Sequence, residues 1–287
     1  MTDPDFRNMA ITVVGLGLIG GSFAKALAKL RPRQIWAVDK DEQVLRKAQA
    51  SRIIDEGFTA ADTPLRESDL VILALYPDAT VNFVRQHLDN FKPGAILTDT
   101  AGIKEKVVSA VYNFLRPDLD FIGGHPLAGK EHSGFAYSAA EIFDGANYIL
   151  TPVAQNKVEN VELLITIIKK IGCNEPVLMS PEEHDKIIAL TSQLPHIIAA
   201  ALVNSSHLEN MKSLCGGSFR DATRVAPMNV ELWCELLLEN KQNVLTQIDV
   251  FVDNITKIRE TIAGEKRSAL AEILDSAGKA AKNFKSG

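Results

Sequence analysis

The sequence is poor in cysteine and in aromatic residues and carries no surplus of positive charge. Its three cysteines, Cys173, Cys215 and Cys234, have no metal-ligand spacing, and an odd number cannot all pair within one chain. A disulfide scaffold and a zinc ribbon are therefore excluded, no metal is expected, and reduced thiols fit the cytoplasm. Lys and Arg number 31 against 36 Asp and Glu, a formal net charge of -5. That argues against nucleic acid or an anionic membrane surface as partner, since both are polyanions. A local basic pocket for a small anion stays open. The opening residues MTDPDFRNM lack the apolar core of a signal peptide. No apolar run is expected to reach membrane-spanning length. Internal repeats, low-complexity tracts and Pro/Gly-rich linkers are absent too. A cytoplasmic protein with no membrane and no nucleic-acid partner is the expectation.

What is present is a globular composition, 46% hydrophobic and 23% charged over 287 residues, long enough for two domains. The first half alternates short apolar runs (AITVVG, QIWAVD, DLVILALY, AILTDT, DFIGGH) with stretches of helical spacing such as SFAKALAKL and KEKVVSAVYNFL. That alternation predicts a parallel sheet with helices on both faces. NYILTPV and EPVLMS read as two more strands of the same sheet, with the helix NVELLITIIKKIG between them. After Pro181 the strand pattern stops and everything reads as helix. Residues 229–262 read as one long helix, with Leu237, Val244, Ile248, Phe251, Ile255 and Ile258 mostly three, four or seven apart. The predicted architecture is α/β: a doubly wound sheet over residues 1–179, then an all-helical domain over residues 180–287.

The run VVGLGLIGGSFAKAL contains G-x-G-x-x-G at Gly15, Gly17 and Gly20. In a strand–turn–helix unit the first glycine allows the tight turn, the second lets the backbone approach a pyrophosphate, and the third lets helix and strand pack closely. The amides at the helix start, those of Leu18 and Ile19 among them, then face the anion. Asp39 ends the next predicted strand, where an acid accepts hydrogen bonds from a ribose hydroxyl and repels a 2′-phosphate. A Rossmann-type site for NAD rather than NADP follows, with Lys40 as a charge that softens the preference.

Ligands of such sheets bind beyond the carboxyl ends of the strands. Those ends carry Tyr76-Pro77, the run Asp99–Gly102 and Gly123-Gly124-His125. Thr100 and Gly102 are therefore candidates to line the cofactor. His125 is the one strand-end side chain able to exchange protons near neutral pH. From spacing alone, a catalytic histidine and an ordinary loop histidine are equally open. The flanking glycines are read as room for cofactor and substrate.

Three further segments resemble signatures of the prephenate dehydrogenase family: GGHPLAGKEHSG at 123–134, TSQLPHIIAAAL at 191–202 and CGGSFRDATRVAPMNVELW at 215–233. With GLGLIGGS they stand in family order over about 220 residues. The resemblance implies an NAD-binding domain followed by a helical domain that pairs with a second copy, hence a homodimer. It implies oxidative decarboxylation of a small-molecule substrate, prephenate, with arogenate as the alternative. His125 matches the family's catalytic histidine, and His196 the histidine of the helix motif, with Ser192 one turn before it on the same side. Arg224 matches the arginine that grips a substrate carboxylate, a task suited to a planar cation. Gly217, Trp233 and Glu131 match positions near the substrate, although core or dimer packing is an equal reading of Trp233. His184, His207, His87 and His132 are read as ordinary helix or surface histidines. Three departures stand out. Gly102 replaces a serine, so Thr100 or water would supply that hydroxyl. Gln193 replaces a histidine, which alters that contact. Lys130 adds charge at the mouth of the site. No further domain is expected after Gly287.

Overall fold

The computed structural model describes residues 6–130, 132–205 and 215–285. Along the first part run β1 (Ala10–Val14), α1 (Leu18–Leu30), β2 (Gln34–Val38), α2 (Glu42–Ala50), β3 (Glu56–Phe58), α3 (Asp62–Glu67) and β4 (Leu70–Leu73). Then come α4 (Pro77–Gln86), β5 (Ile96–Asp99), α5 (Glu105–Tyr112), β6 (Asp120–Pro126), β7 (Tyr148–Thr151), α6 (Val158–Lys170) and β8 (Val177–Leu178). All eight strands form one sheet in the order β3-β2-β1-β4-β5-β6-β7-β8. The order reverses between β1 and β4, which opens a crevice at their carboxyl ends.

Every residue of β1, β4, β5 and β7 is buried. Helices cover both faces, which is why these strands read as unbroken apolar runs. One face packs Ile11, Val13, Phe23, Leu27 and Tyr148 together, the other Val14, Val71, Leu73, Leu97 and Phe121. The expectation of a purely parallel sheet fails at one place: β7 runs antiparallel to β6, with His125 opposite Ile149. Between them, among the described residues, lie two short 3-10 turns, Phe135–Tyr137 and Ala140–Phe143. Without a crossover helix the chain re-enters beside β6 from the same end. β3, three residues long and partly exposed, has too little pattern to be read from sequence.

The second part is helical: α7 (Pro181–Ile188), a π turn (Ala189–Gln193), α8 (Leu194–Asn204), α9 (Gly217–Thr223), α10 (Val230–Glu239), α11 (Lys241–Ala263) and α12 (Arg267–Lys285). Ser180 starts it with a capping box closed by Glu183, and Pro181 follows at the first turn. The π turn ends just before Pro195, whose missing N–H removes one rung of the helical ladder.

Two expectations are corrected here. Residues 229–262 are not one helix, because the chain turns at Asn240. The buried Asn240 amide donates to the Asp185 carbonyl (2.8 Å) and to Gln193 Oε1 (2.7 Å), which fixes the break inside the packing. Also, Pro181–Asn204 is long and apolar enough, by length and composition, to cross a membrane. Its first half sets His184, Asp185 and Gln193 in the interior with hydrogen bonds. These three polar side chains are buried with partners inside the protein. Its other side leaves Ile187, Leu190 and Leu202 exposed.

Candidate active site

The glycine turn is built as its spacing requires. Gly15 has φ +87°, and a side chain there would meet the Ala74 carbonyl at 2.6 Å. At Gly20 a Cβ would run into the Gly15 carbonyl. Gly17 faces open space and begins α1 with no side-chain cap and no acid in its first turn. By contrast α2 is capped by Asp41 and α7 by Ser180. The uncapped amides around Leu18 and Ile19 are thus left for an external anion. Asp39 reaches back to this turn, accepting from the Leu16 N–H at 2.6 Å and from the Asp41 N–H at 2.8 Å. The cradle, its positive helix end and the acid beside it fit a dinucleotide. Thr100 and Gly102 follow β5, two strands from β1 in the sheet.

His125 lies on β6 itself, one residue before its end, and is partly exposed. Its Nδ1 is 2.9 Å from His184 Nε2, and His184 Nδ1 is 2.7 Å from Asp185 Oδ1. Asp185 also accepts from the Lys104 N–H (2.8 Å) and the Glu105 N–H (3.0 Å), at the start of α5. Beneath the pair, Lys104 is wholly buried and ion-paired with Asp99. Asp99 in turn accepts from the Gly124 N–H (3.1 Å) and the Ala101 N–H (3.0 Å). The packed protein around its ring, then His184 and Lys104, hold His125 well below its usual pKa. Burial, with help from Lys104, outweighs the Asp185 bond and lowers His184 as well. Both rings are therefore neutral at physiological pH. Among the described residues His125 Nε2 has no partner.

Two readings of this region are corrected. His184 is not an ordinary helix residue, since it joins His125 to a carboxylate in the interior. The signal that could have found it is the adjacent acid, the His184-Asp185 pair opening a helix. Gly123 and Gly124 do not make room for ligands. A Cβ at Gly124 would meet the Asp99 carbonyl and the Tyr148 hydroxyl, each at 2.8 Å, and one at Gly123 would press on Val108 at 3.0 Å. These glycines let strand β6 close over the buried Asp99–Lys104 pair.

A second group gathers on the helices. His196 stacks on Trp233, ring centroids 3.8 Å apart, and its Nδ1–H donates to the Ser192 carbonyl at 2.8 Å. The backbone of Ser192, not its hydroxyl, thus orients the ring. Burial first, then the Arg224 charge, lowers the His196 pKa against the pull of that bond. Arg224 follows α9, which packs on α8. α10 joins the two groups. Trp233 touches His196, while Leu236, three residues on and on the same helix face, sits where a side chain at Gly102 would point. A Cβ at Gly102 would lie 3.2 Å from Leu236 and 3.9 Å from His125. Leu236 is a contact that sequence reasoning missed.

The remaining candidates are more scattered. Gly217 opens α9 and is exposed. Lys130 is exposed, and its ammonium donates to the Tyr137 carbonyl (3.1 Å) beside Lys25 of α1, not to the His196 group. Glu131 lies outside the described residues, as does His207. Gln193 is not an altered ligand contact. It is 1% exposed and donates to the Leu236 carbonyl at 3.1 Å, tying the π turn to α10.

Comparison with known proteins joins these halves. The family model of the prephenate dehydrogenase nucleotide-binding domain matches residues 23–175. That of the prephenate dehydrogenase dimerization domain matches residues 180–276. Prephenate dehydrogenase of Bacillus subtilis is 34% identical over 284 residues, 96% of this chain and 75% of that protein. Cyclohexadienyl dehydrogenase of Zymomonas mobilis is 34% identical over 277 residues, 94% of each. The crystal structure of A. aeolicus prephenate dehydrogenase with hydroxyphenyl propionate and NAD+ superimposes with a TM-score of 0.89 at 30% identity, covering 98% of this chain and 99% of that one. Matched in both its parts and along nearly all its length, the chain belongs to the prephenate dehydrogenase family.

Proposed function

We propose that this protein is a prephenate dehydrogenase. It oxidatively decarboxylates prephenate to 4-hydroxyphenylpyruvate and CO2 with NAD, in tyrosine biosynthesis. One observation carries the assignment: an imidazole with an open Nε2, His125, stands at the carboxyl edge of a sheet whose first turn is an uncapped glycine cradle with an acid beside it.

The amides of Gly17, Leu18 and Ile19 hold the pyrophosphate, Asp39 the ribose, and Thr100 and Gly102 flank the nicotinamide. NAD supplies the acceptor for the hydride that leaves C4 of the ring. His125 Nε2 accepts a hydrogen bond from the C4 hydroxyl and stabilises the charge that develops there. Arg224 holds one substrate carboxylate as a permanent cation. His196, backed by Trp233 and Ser192, with Gly217, Glu131 and Lys130 nearer the entrance, completes the substrate side. Aromatisation drives the reaction, so the chain's main task is to position two carboxylates and polarise one hydroxyl.

The working unit is a homodimer, built through the helical part beyond residue 179. The apolar side chains of α11 that stay exposed, Val252, Ile255 and Ile262 among them, support this reading. The free cysteines support a cytoplasmic enzyme, and the net charge of -5 supports one without a nucleic-acid partner. The test is an assay of NADH formation and CO2 release with prephenate and with arogenate, each with NAD and NADP. Prephenate with NAD is expected to give the highest kcat/KM. A higher value with arogenate makes the chain an arogenate dehydrogenase, and NAD binding without turnover makes it a sensor.

A further inference from the structure

We propose that His184 is a positioning residue that locks the tautomer of His125, so that the ring always meets the substrate with a bare Nε2. The inference rests on the assignment of His125 above and says how its protonation is set. It follows from counting protons along the chain of contacts. The Asp185 carboxylate only accepts, and its Oδ1 lies 2.7 Å from His184 Nδ1, so that nitrogen carries hydrogen. A neutral His184 then has a bare Nε2. That atom sits 2.9 Å from His125 Nδ1, and the hydrogen between them has to come from His125. With Nδ1 protonated and the ring neutral, His125 Nε2 is bare. The other tautomer would set two lone pairs against each other at 2.9 Å.

Relaxing this clash by charging His184 is opposed from every side except the carboxylates of Asp185 and Asp99. The ring is completely buried, the Lys104 ammonium stands close, and His125 is itself the neighbour that would feel the charge. Asp99 neutralises Lys104, and Tyr148 is buried beside Gly124 with its hydroxyl kept protonated by burial. Asp185 is pinned in turn by two amides at the start of α5, and its carbonyl accepts from Asn240. The lock therefore joins β6, α5, α7 and the turn at Asn240 between α10 and α11, and forms only when the helical part is seated on the sheet.

The chemistry needs this tautomer. As the C4–H bond breaks, its electron pair leaves with the hydrogen to NAD. The bond to the ring carboxylate breaks as CO2 departs, and that pair completes the aromatic ring. The hydroxyl keeps its proton in the phenol product, so His125 has to accept a hydrogen bond and does not need to carry a proton away. A ring with hydrogen on Nε2 could only donate to the hydroxyl oxygen and could not accept from it, which opposes the positive charge that develops there.

The experiment is nitrogen-15 NMR of histidine-labelled enzyme with NAD bound, combined with steady-state kinetics. The His125 signals are identified by their loss in His125→Asn. In the unmodified protein His125 is expected to show a protonated Nδ1 and a bare Nε2. His184→Phe should mix the tautomers and lower kcat about tenfold to a hundredfold, the range seen when the outer partner of a metal-bound histidine is removed, with KM for prephenate little changed. His184→Gln, whose amide oxygen can accept from His125 Nδ1, should keep the tautomer and most of the rate. A protonated Nε2 in the unmodified protein overturns the proposal, even if His184→Phe fails to fold. So does an unchanged tautomer and kcat in His184→Phe. Turnover that survives in His125→Asn is a different result: it removes His125 from the chemistry whatever its tautomer.

Discussion

In the sheet, β1, β4, β5 and β7 bury every residue, while α11 buries only Val244 and Thr261 of its 23. Both regions have apolar residues at regular spacing. In the first the pattern is satisfied inside the chain. In the second Leu245, Val250, Val252, Ile255 and Ile262 keep roughly half their surface in water. A periodic stripe says that a face will be covered and does not say by what. The polar content differs in the same way. The sheet region keeps an ion pair and its amide donors wholly inside, whereas α12 carries its Lys279–Asp275 pair on the surface.

The contrast can be broken most severely at Lys104. Lys104→Met leaves Asp99 buried without its cation and should cost about 3–5 kcal/mol, the usual penalty for half of a buried pair. Guanidinium unfolding measures it, and adding Asp99→Asn should recover part. A loss below about 1 kcal/mol would mean that water reaches the pair. Next is Ile255→Asp on the exposed stripe. Within one chain it should change stability by less than about 0.5 kcal/mol. If the stripe is the dimer seam, the same change removes roughly 1.5–3 kcal/mol of burial per side chain and gives monomers in sedimentation at micromolar concentration. An intact dimer would move the seam elsewhere.

A third effect separates the regions by pH. His125 and His184 have pKa values below the ordinary 6.5 in the folded chain. As pH falls through 6.5, the unfolded chain takes up protons that the folded chain refuses, so stability declines. The slope is at most about 1.4 kcal/mol per pH unit for each ring, and it ends once pH drops below the folded values. Unfolding free energies measured from pH 7.5 to 5.5 should show the decline, and His125→Asn should make it shallower. A flat profile would mean that neither ring is held neutral by folding. The smallest effect is expected at Gly102→Ser. Its Cβ would lie 3.2 Å from the flexible end of Leu236, so thermal unfolding should register under about 1 kcal/mol. A larger loss would show α10 clamped at that point.

Much of the glycine turn was legible because its residues lie close together along the chain. Gly15, Gly17, Gly20 and Asp39 sit within 25 residues, and their spacing carries the geometry. The histidine site was half legible. His125 could be singled out, but its partner His184 lies 59 residues away on another element, and no local period links them. Gly123 and Gly124 were misread for the same reason. Whether a glycine admits a ligand or a neighbouring strand depends on Tyr148 and Asp99, which only the fold brings there.

By itself the sequence determined the alternation of strand and helix, the cradle at the start of α1, the change of texture near Pro181 and the family. These are set by local spacing, capping and side-chain type. Tertiary structure alone decided that β7 turns back against β6, that the helix predicted for 229–262 breaks at Asn240, and that His184 and Asp185 stand behind His125. In each case the deciding interaction is a hydrogen bond between residues distant in sequence. Such a bond forms only after the apolar faces have packed and made its two ends neighbours.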